Sequence, residues 1–259
     1  MKTSKALFTV LLLCLPLLAS AREPKIYRAP LEGTVVIDTD GSVMDVTFET
    51  SLGDNFDAAL TQKISRWVLQ PVLSDGKPAV AVAYVSLWLQ ADLSSQEVRI
   101  ENFRLREPPS GKRSKTDPNR PAPVYPRESS VRRFGAEIVL NVRIDENGVV
   151  KETSSESGWL TGPRTSTSER KRHFGIFVKA AESAVKKWSF PELAAEGHEV
   201  LQLPVYFVLR ASGAWRPAYR VDVEPAPWVI AHQGQPIAKL DNDGELESER
   251  FRLVSGFDR

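Results

Sequence analysis

The residue types that most often carry catalysis or bind metal are sparse in this chain and are not grouped. Its three histidines (His173, His198 and His232) show neither the i, i+4 spacing nor the short-loop spacing of a zinc site. The single cysteine, Cys14, lies in the N-terminal apolar run. We find no P-loop, no Gly-x-Ser-x-Gly elbow and no dinucleotide-binding glycine motif. The sequence therefore predicts no catalytic set, no metal and no cofactor, and favours a binding protein over an enzyme.

An Asp followed two residues later by Asp or Asn recurs in three segments of one pattern: an apolar residue, Asp, any residue, Asp or Asn, then Gly. The segments are Ile37–Val43, Ile144–Val150 and Leu240–Leu246. Asp and Asn bond their own main chain and Gly accepts positive φ, so each segment is predicted to be a hairpin turn between strands. The alternative is a calcium loop, but the spacing falls short of an EF-hand and no bidentate Glu stands at the twelfth position.

Four basic residues are concentrated in one short segment, Arg164, Arg170, Lys171 and Arg172. As a loop they would contact an anionic envelope polymer or an acidic partner, and the alternative is a solvated insertion. The rest of the chain is balanced. Without Lys2 and Lys5 it carries 32 basic and 33 acidic residues. This balance gives no reason to expect nucleic-acid binding.

The N-terminus has the pattern of a secretory signal peptide. Lys2 and Lys5 precede an apolar run from Ala6 to Leu18, and small residues end it at Ala19–Ala21. The run is shorter than the roughly 20 residues that a membrane-spanning helix needs. We therefore predict cleavage after residue 21, export to the periplasm and no stable membrane span afterwards. An uncleaved anchor is the alternative interpretation.

An internal repeat organises the rest of the chain. After each of the first two turns, apolar residues recur at i, i+4, i+8 and i+11, which places them on one helical face. The two stripes are Phe56, Leu60, Ile64 and Trp67, and Phe177, Ala181, Val185 and Trp188. We interpret both as core, with Asp54 as the N-cap of the first helix. A proline follows each tryptophan, and a β-rich run follows each proline.

The predicted repeating unit is strand, Asp-Gly turn, strand, helix, strand, with a possible fourth strand near 98–105 and 219–223. The turn glycines, Gly41 and Gly148, are 107 residues apart, whereas the tryptophans are 121 apart. The second copy therefore carries 14 extra residues between strand and helix, in the stretch 158–173 that holds the basic residues. A Pro-, Lys- and Arg-rich stretch is predicted to be the linker between the copies.

The order of elements in the second copy resembles the C-terminal domain of TonB energy transducers. The resemblance rests on Tyr125-Pro126, the Gly135 before a strand, the Ile-Asp-x-Asn-Gly turn, the Trp188–Pro191 helix end and the last strand Leu203–Phe207. The first copy matches at the turn, the helix and Trp-x-x-x-Pro, and lacks a clear Tyr-Pro. By this resemblance we expect an α+β fold of two tandem TonB-like domains, each a small antiparallel sheet covered by one helix.

The expected domains are 22–107 and 122–227, joined by a linker at 108–121 and followed by a hairpin extension at 228–259. TonB domains bind a peptide of an outer-membrane transporter as an added strand. The resemblance therefore implies an envelope-protein or transporter-peptide partner on the last strand of copy two, at Leu201, Gln202, Leu203, Val205 and Tyr206. The expected function is an exported scaffold or binding protein. The alternative is an energy transducer with an uncleaved anchor. The sequence leaves the oligomeric state open.

Overall fold

A computed structural model describes residues 26–95, 97–108, 120–209, 214–232, 237–240 and 251–257 of the chain. The strands are β1 Ile26–Ile37, β2 Val43–Phe48, β3 Val68–Leu69, β4 Leu73–Ser74, β5 Lys77–Pro78, β6 Ala81–Asp92, β7 Glu97–Arg106, β8 Gly135–Ile144, β9 Val150–Ser155, β10 Gly158–Thr161, β11 Val200–Phe207, β12 Arg216–Val221, β13 Ala238–Lys239 and β14 Leu253–Ser255. The helices are α1 Asp54–Ile64, α2 Arg127–Val131, α3 Thr167–Val185, α4 Pro191–Ala195 and α5 Pro227–Ala231.

In both repeats the predicted turn forms a main-chain hydrogen bond with the segment that follows the helix. The carbonyl of Gly41 accepts a hydrogen bond from the N–H of Leu69, and that of Gly148 accepts one from the N–H of Phe190. In each turn an Asp carboxylate also accepts hydrogen bonds from main-chain N–H groups, as the Asp-Gly pattern predicts. The Asp40 carboxylate, for example, accepts one from the N–H of Ser42 at 2.9 Å. The repeat is thus a repeat of structure as well as of sequence.

Both helical stripes form core, as predicted. Ile64 and Trp67 are fully buried under α1, and Phe56 is half-buried against the same cluster. In the second repeat Phe177, Ala181, Val185 and Trp188 are all buried. Each helix therefore covers one half of the sheet with its own apolar cluster.

The predicted N-cap of α1 is wrong. Gly53 occupies the cap position and Asp54 is the first helical residue. The carboxylate of Asp57 instead accepts the N–H of Leu52, at 3.0 Å, from inside the first turn. A carboxylate in the first turn still complements the positive end of the helix dipole.

The prediction of two separate small sheets, each covered by one helix, is also wrong. A single ten-stranded sheet runs through both repeats in the order β13-β11-β8-β10-β12-β1-β6-β7, with β2 paired to β1 and β9 paired to β8. The described residues contain five helices, and the sheet curls into a half-barrel. The two repeats are thus halves of one curled sheet.

The cause of this merger is the insertion that distinguishes the second repeat. Strand β9 covers only the C-terminal part of β8, so the edge at Gly135–Glu137 is left for β10, which the insertion supplies. The other edge of β10 pairs with β12, and β12 in turn pairs with the start of β1 at Ile26–Arg28. The fourth strand of the second repeat therefore joins the first repeat instead of lying beside β11.

The curl of the sheet can be read from one contact. Five strand spacings separate β6 from β11, which is about 24 Å across a flat sheet. Yet the rings of Trp88 on β6 and Tyr206 on β11 stack with centroids 4.4 Å apart. The face that carries these rings is therefore the inside of the curl, and the helices pack on the outside.

The C-terminal segment docks on both halves. Strand β13 pairs in parallel with β11 at Leu201 and Gln202. Strand β14 pairs with β3, and Phe257 packs against Trp67 with ring centroids 6.1 Å apart. The third Asp-Gly segment lies outside the described residues except for Leu240.

We predict that Gly148→Ala lowers the free energy of unfolding by about 3 kcal/mol or more. Gly148 has φ of 77°, and an added Cβ would fall well inside contact distance of the Phe190 carbonyl group. Gly197→Ala is the matched control, because Gly197 has φ of 86° with open space around its Cβ position. That variant should lose only about 1 kcal/mol. Urea unfolding measures both, and equal losses would show that the Gly148 contact stabilises nothing.

Candidate functional site

The inner face of the curled sheet is fastened by one arginine. Arg28 on β1 is 6% exposed and forms a bidentate pair with Glu137 on β8, through Nε at 3.0 Å and Nη2 at 2.8 Å. Its Nη1 donates to Gln90 on β6 at 2.9 Å. A buried bidentate pair fixes both distance and angle between the strands that carry it. Arg28 therefore holds the first and second repeats at a fixed curvature.

Aromatic rings support the same arrangement. The Arg28 guanidinium lies 4.9 Å from the ring of Trp159 on β10, and Arg220 lies 5.6 Å from the same ring. Tyr206, farther along the inner face, is held between Trp88 and the side-chain amide of Asn102. Burial and then the charge of Glu137 raise the pKa of Tyr206 to about 12, so its hydroxyl stays protonated.

Beside the Trp88–Tyr206 stack lies a cavity of about 470 Å³, which we call the inner pocket. It opens between β1, β6, β7 and the end of β11. Its lining includes Glu32, Glu49, Ser86, Trp88, Arg104, Arg106 and Tyr206. Its volume falls in the range of ordinary small-molecule sites. The pocket combines an aromatic wall with charged groups of both signs.

The negative side of the inner pocket is organised by a tyrosine. The hydroxyl of Tyr84 donates to Glu32 at 2.6 Å and also contacts Glu49. Burial first, and then these two carboxylates, raise the pKa of Tyr84 above its usual range. Its proton therefore stays in place and holds the two carboxylates near each other.

The positive side comes from β7. The register of β6 and β7 places Arg104 opposite Ser86 and Arg106 opposite Tyr84. The Arg106 guanidinium stacks over the Tyr84 ring at 4.7 Å. Among the described residues its buried Nε–H has no acceptor, and no carboxylate pairs with it. The Tyr84 ring thus holds the Arg106 guanidinium in place without neutralising its charge.

Most of the partner-binding residues predicted on β11 do not share one surface in the structure. Leu201, Leu203 and Val205 point into the core beneath α3. Gln202 donates to Glu156 at 3.2 Å. Only Tyr206 lines the inner pocket. The outer edge of β11 is already used at Leu201 and Gln202, where β13 pairs.

The four basic residues do not form a loop patch, because α3 begins at Thr167 and includes three of them. Arg170 stacks over Tyr219 at 3.9 Å and donates to the Thr165 carbonyl. Arg172 pairs with Glu128 at 2.5 Å. Arg164 and Lys171 are exposed. Two of the four therefore fasten α3 to its neighbours, and a shared anion site does not assemble.

A serine and a histidine meet at the start of α3, but they lie in the interior. Ser129 Oγ and His173 Nδ1 are 3.0 Å apart, and both residues are fully buried. Arg132, Arg172, Glu128 and Glu169 surround the imidazole. This buried pair therefore connects α2 to α3.

Sequence reasoning missed every residue of the inner pocket except Tyr206. The available signal was period-two alternation on β7, where Phe103 and Leu105 alternate with Arg104 and Arg106. Which strands face each other across the curl is not visible in that alternation. In the described residues, no group of three or more His, Cys, Asp or Glu side chains is placed to hold a metal ion.

Comparison with known proteins gave no match to a family model, to a curated protein or to a solved structure. Within the described ranges, no helix has the length and apolar character that a bilayer crossing requires.

We predict that Glu137→Gln lowers the free energy of unfolding by about 1–3 kcal/mol, because it removes the carboxylate that pairs with the buried Arg28 in a bidentate way and leaves only Glu101, at 4.0 Å. Glu97→Gln removes the carboxylate of an exposed pair with Arg99, and it should change stability by less than about 0.5 kcal/mol. Chemical unfolding of both variants makes the comparison. Similar small losses for both would contradict a fastening role for Arg28.

We also predict that stability falls as pH drops below about 6.5, the usual pKa of histidine. Burial, and then Arg172, lower the pKa of His173 in the folded state. The unfolded chain therefore binds the proton more tightly, and acid favours unfolding. His173→Gln should flatten the decline between pH 6.5 and 5, whereas His198→Gln should keep it. Identical slopes in His173→Gln and wild type would refute the assignment.

Proposed function

We propose that this chain is an exported binding protein of the cell envelope that recognises an extended segment of a partner by strand addition to β7. One observation carries the proposal. The sheet ends in β7, a ten-residue strand whose outer edge is unpaired within the described part of the chain. Such an edge is a template for pairing with another chain.

The directions of the peptide groups on β7 follow from the register. The N–H of Glu49 bonds the Glu32 carbonyl, so even-numbered residues of β1 face β2 and odd-numbered ones face β6. The register of β1 with β6 and then of β6 with β7 extends this alternation to β7. The peptide groups of Val98, Phe103 and Leu105 therefore point away from the sheet. The Phe103 N–H is accepted by the Asn102 side chain at 2.9 Å, which agrees with an outward direction.

The edge of β11, which the TonB resemblance implied, supports the proposal less well. The chain's own β13 pairs with its first part, and Leu240 N–H bonds the Gln202 carbonyl. Pro204 has no N–H to offer farther along. The first repeat therefore presents the better template for an added strand.

Export belongs to the same proposal and rests on the sequence of residues 1–21. The TonB-like order of elements supports the mode of recognition.

We expect Val98→Pro to abolish capture of a partner from an envelope extract while Val98→Ala retains it. The proline removes one outward N–H, and the Val98 side chain is 43% exposed, so both variants should keep the wild-type unfolding temperature. The bait is the mature chain, and captured proteins are compared by mass spectrometry across the three baits. A partner held equally by both variants, or none held by wild type, would overturn strand addition at β7.

A further inference from the structure

One tyrosine beside the inner pocket contacts two carboxylates and one guanidinium through different parts of its ring. Glu32 and Glu49 contact the same Tyr84 hydroxyl, while Arg106 stacks on the face of the Tyr84 ring. Among the described residues Arg106 has no carboxylate partner. The tyrosine therefore separates a carboxylate pair from a guanidinium that would otherwise neutralise each other. A site built this way matches a ligand that carries both charges.

The spacing of the two ends sets the size of the ligand. Glu32 lies on β1 opposite Ser86 on β6, and Ser86 lies opposite Arg104 on β7. Two strand spacings therefore separate the acidic and basic backbones, about 10 Å. An extended peptide spans about 3.3–3.6 Å per residue, so about three residues cover that distance. The Ser86 side chain, which lies between Glu32 and Arg104 on β6, is small and leaves room for a ligand.

The remaining wall is apolar and flat. Trp88 and Tyr206 stack across the curl and line the pocket on the side nearest the Arg28 fastening. Such rings accept aliphatic side chains or a peptide plane without ordering flexible groups. A polyanion would meet two carboxylates, and a neutral sugar would leave charges of both signs desolvated without partners.

We propose that the inner pocket binds a short peptide of about three residues with both termini free. Its ammonium lies between Glu32 and Glu49, its carboxylate meets Arg106, and its middle lies on the Trp88–Tyr206 stack. This site is separate from strand addition, since it uses side chains of the inner face and none of the outward peptide groups of β7. Val98→Pro should therefore leave it intact.

The test is calorimetric titration of the mature chain at pH 7 with tri-alanine, N-acetyl-tri-alanine and tri-alanine amide. Tri-alanine should bind, and each cap should weaken binding at least tenfold. Arg106→Gln should weaken tri-alanine about tenfold and leave the amide unchanged. Arg99→Gln is the matched control, an exposed arginine on the same strand that pairs with Glu97 outside the pocket.

Glu49→Gln tests the other end of the ligand on an exposed residue outside the strands, so the fold is not at risk. It should weaken tri-alanine and leave N-acetyl-tri-alanine unchanged. Thermal unfolding confirms that each variant is folded. No binding of tri-alanine at millimolar concentration, equal binding of capped and free peptides, or an equal loss in Arg99→Gln and Arg106→Gln would each overturn the proposal.

Discussion

The bidentate pair between Arg28 and Glu137 is the constraint on which the rest of the molecule depends. It joins β1 of the first repeat to β8 of the second across the inside of the sheet. With Gln90 on β6 as a further acceptor, the same guanidinium fixes three strands at once. A charge this deeply buried is tolerated only when it is fully paired, so the sheet can curl in few other ways. The Trp88–Tyr206 stack and the inner pocket follow from that curvature.

Two levels of architecture combine in this chain. At the first level each repeat folds in the same way. The carbonyl of the turn glycine accepts a hydrogen bond from the N–H two residues after the tryptophan, and the helix covers its own apolar cluster. At the second level the repeats differ, because only the second has β10. That short strand makes an edge for β12, and β12 carries the sheet into the first repeat. A 14-residue difference in sequence thus decides between two sheets and one.

The sequence was sufficient for the local elements and insufficient for their assembly. The Asp-Gly turns and both helical stripes follow from backbone sterics and from burial on one face, which act over a few residues. Strand partners depend on chain segments far apart, such as Thr161 and Ala218, and no local pattern encodes that choice. The insertion was visible in the residue spacing, yet its Ser, Thr, Arg and Lys content favoured a loop.

The candidate site was hidden for the same reason. The sequence predicted that Tyr206 binds a partner as part of an edge strand. In the structure its side chain lies on the inner face of the sheet and stacks against Trp88. The charged residues of the inner pocket lie at alternate positions on β1 and β7, apart from Glu49, which follows β2. On a strand, such residues are indistinguishable from a solvated face. Only the curl turns that face inward. It brings Tyr206 of the second repeat to the cavity that Glu32 and Arg106 of the first repeat line.

The curl itself is the central claim, and an NMR measurement tests it directly. Nuclear Overhauser contacts between the ring protons of Trp88 and Tyr206 require the two rings to lie within a few ångströms of each other. The structure places their centroids 4.4 Å apart, so strong contacts are expected in the mature chain. Their absence in a folded sample with both rings assigned would mean that the two repeats do not close on each other, and the account of the inner pocket would fail.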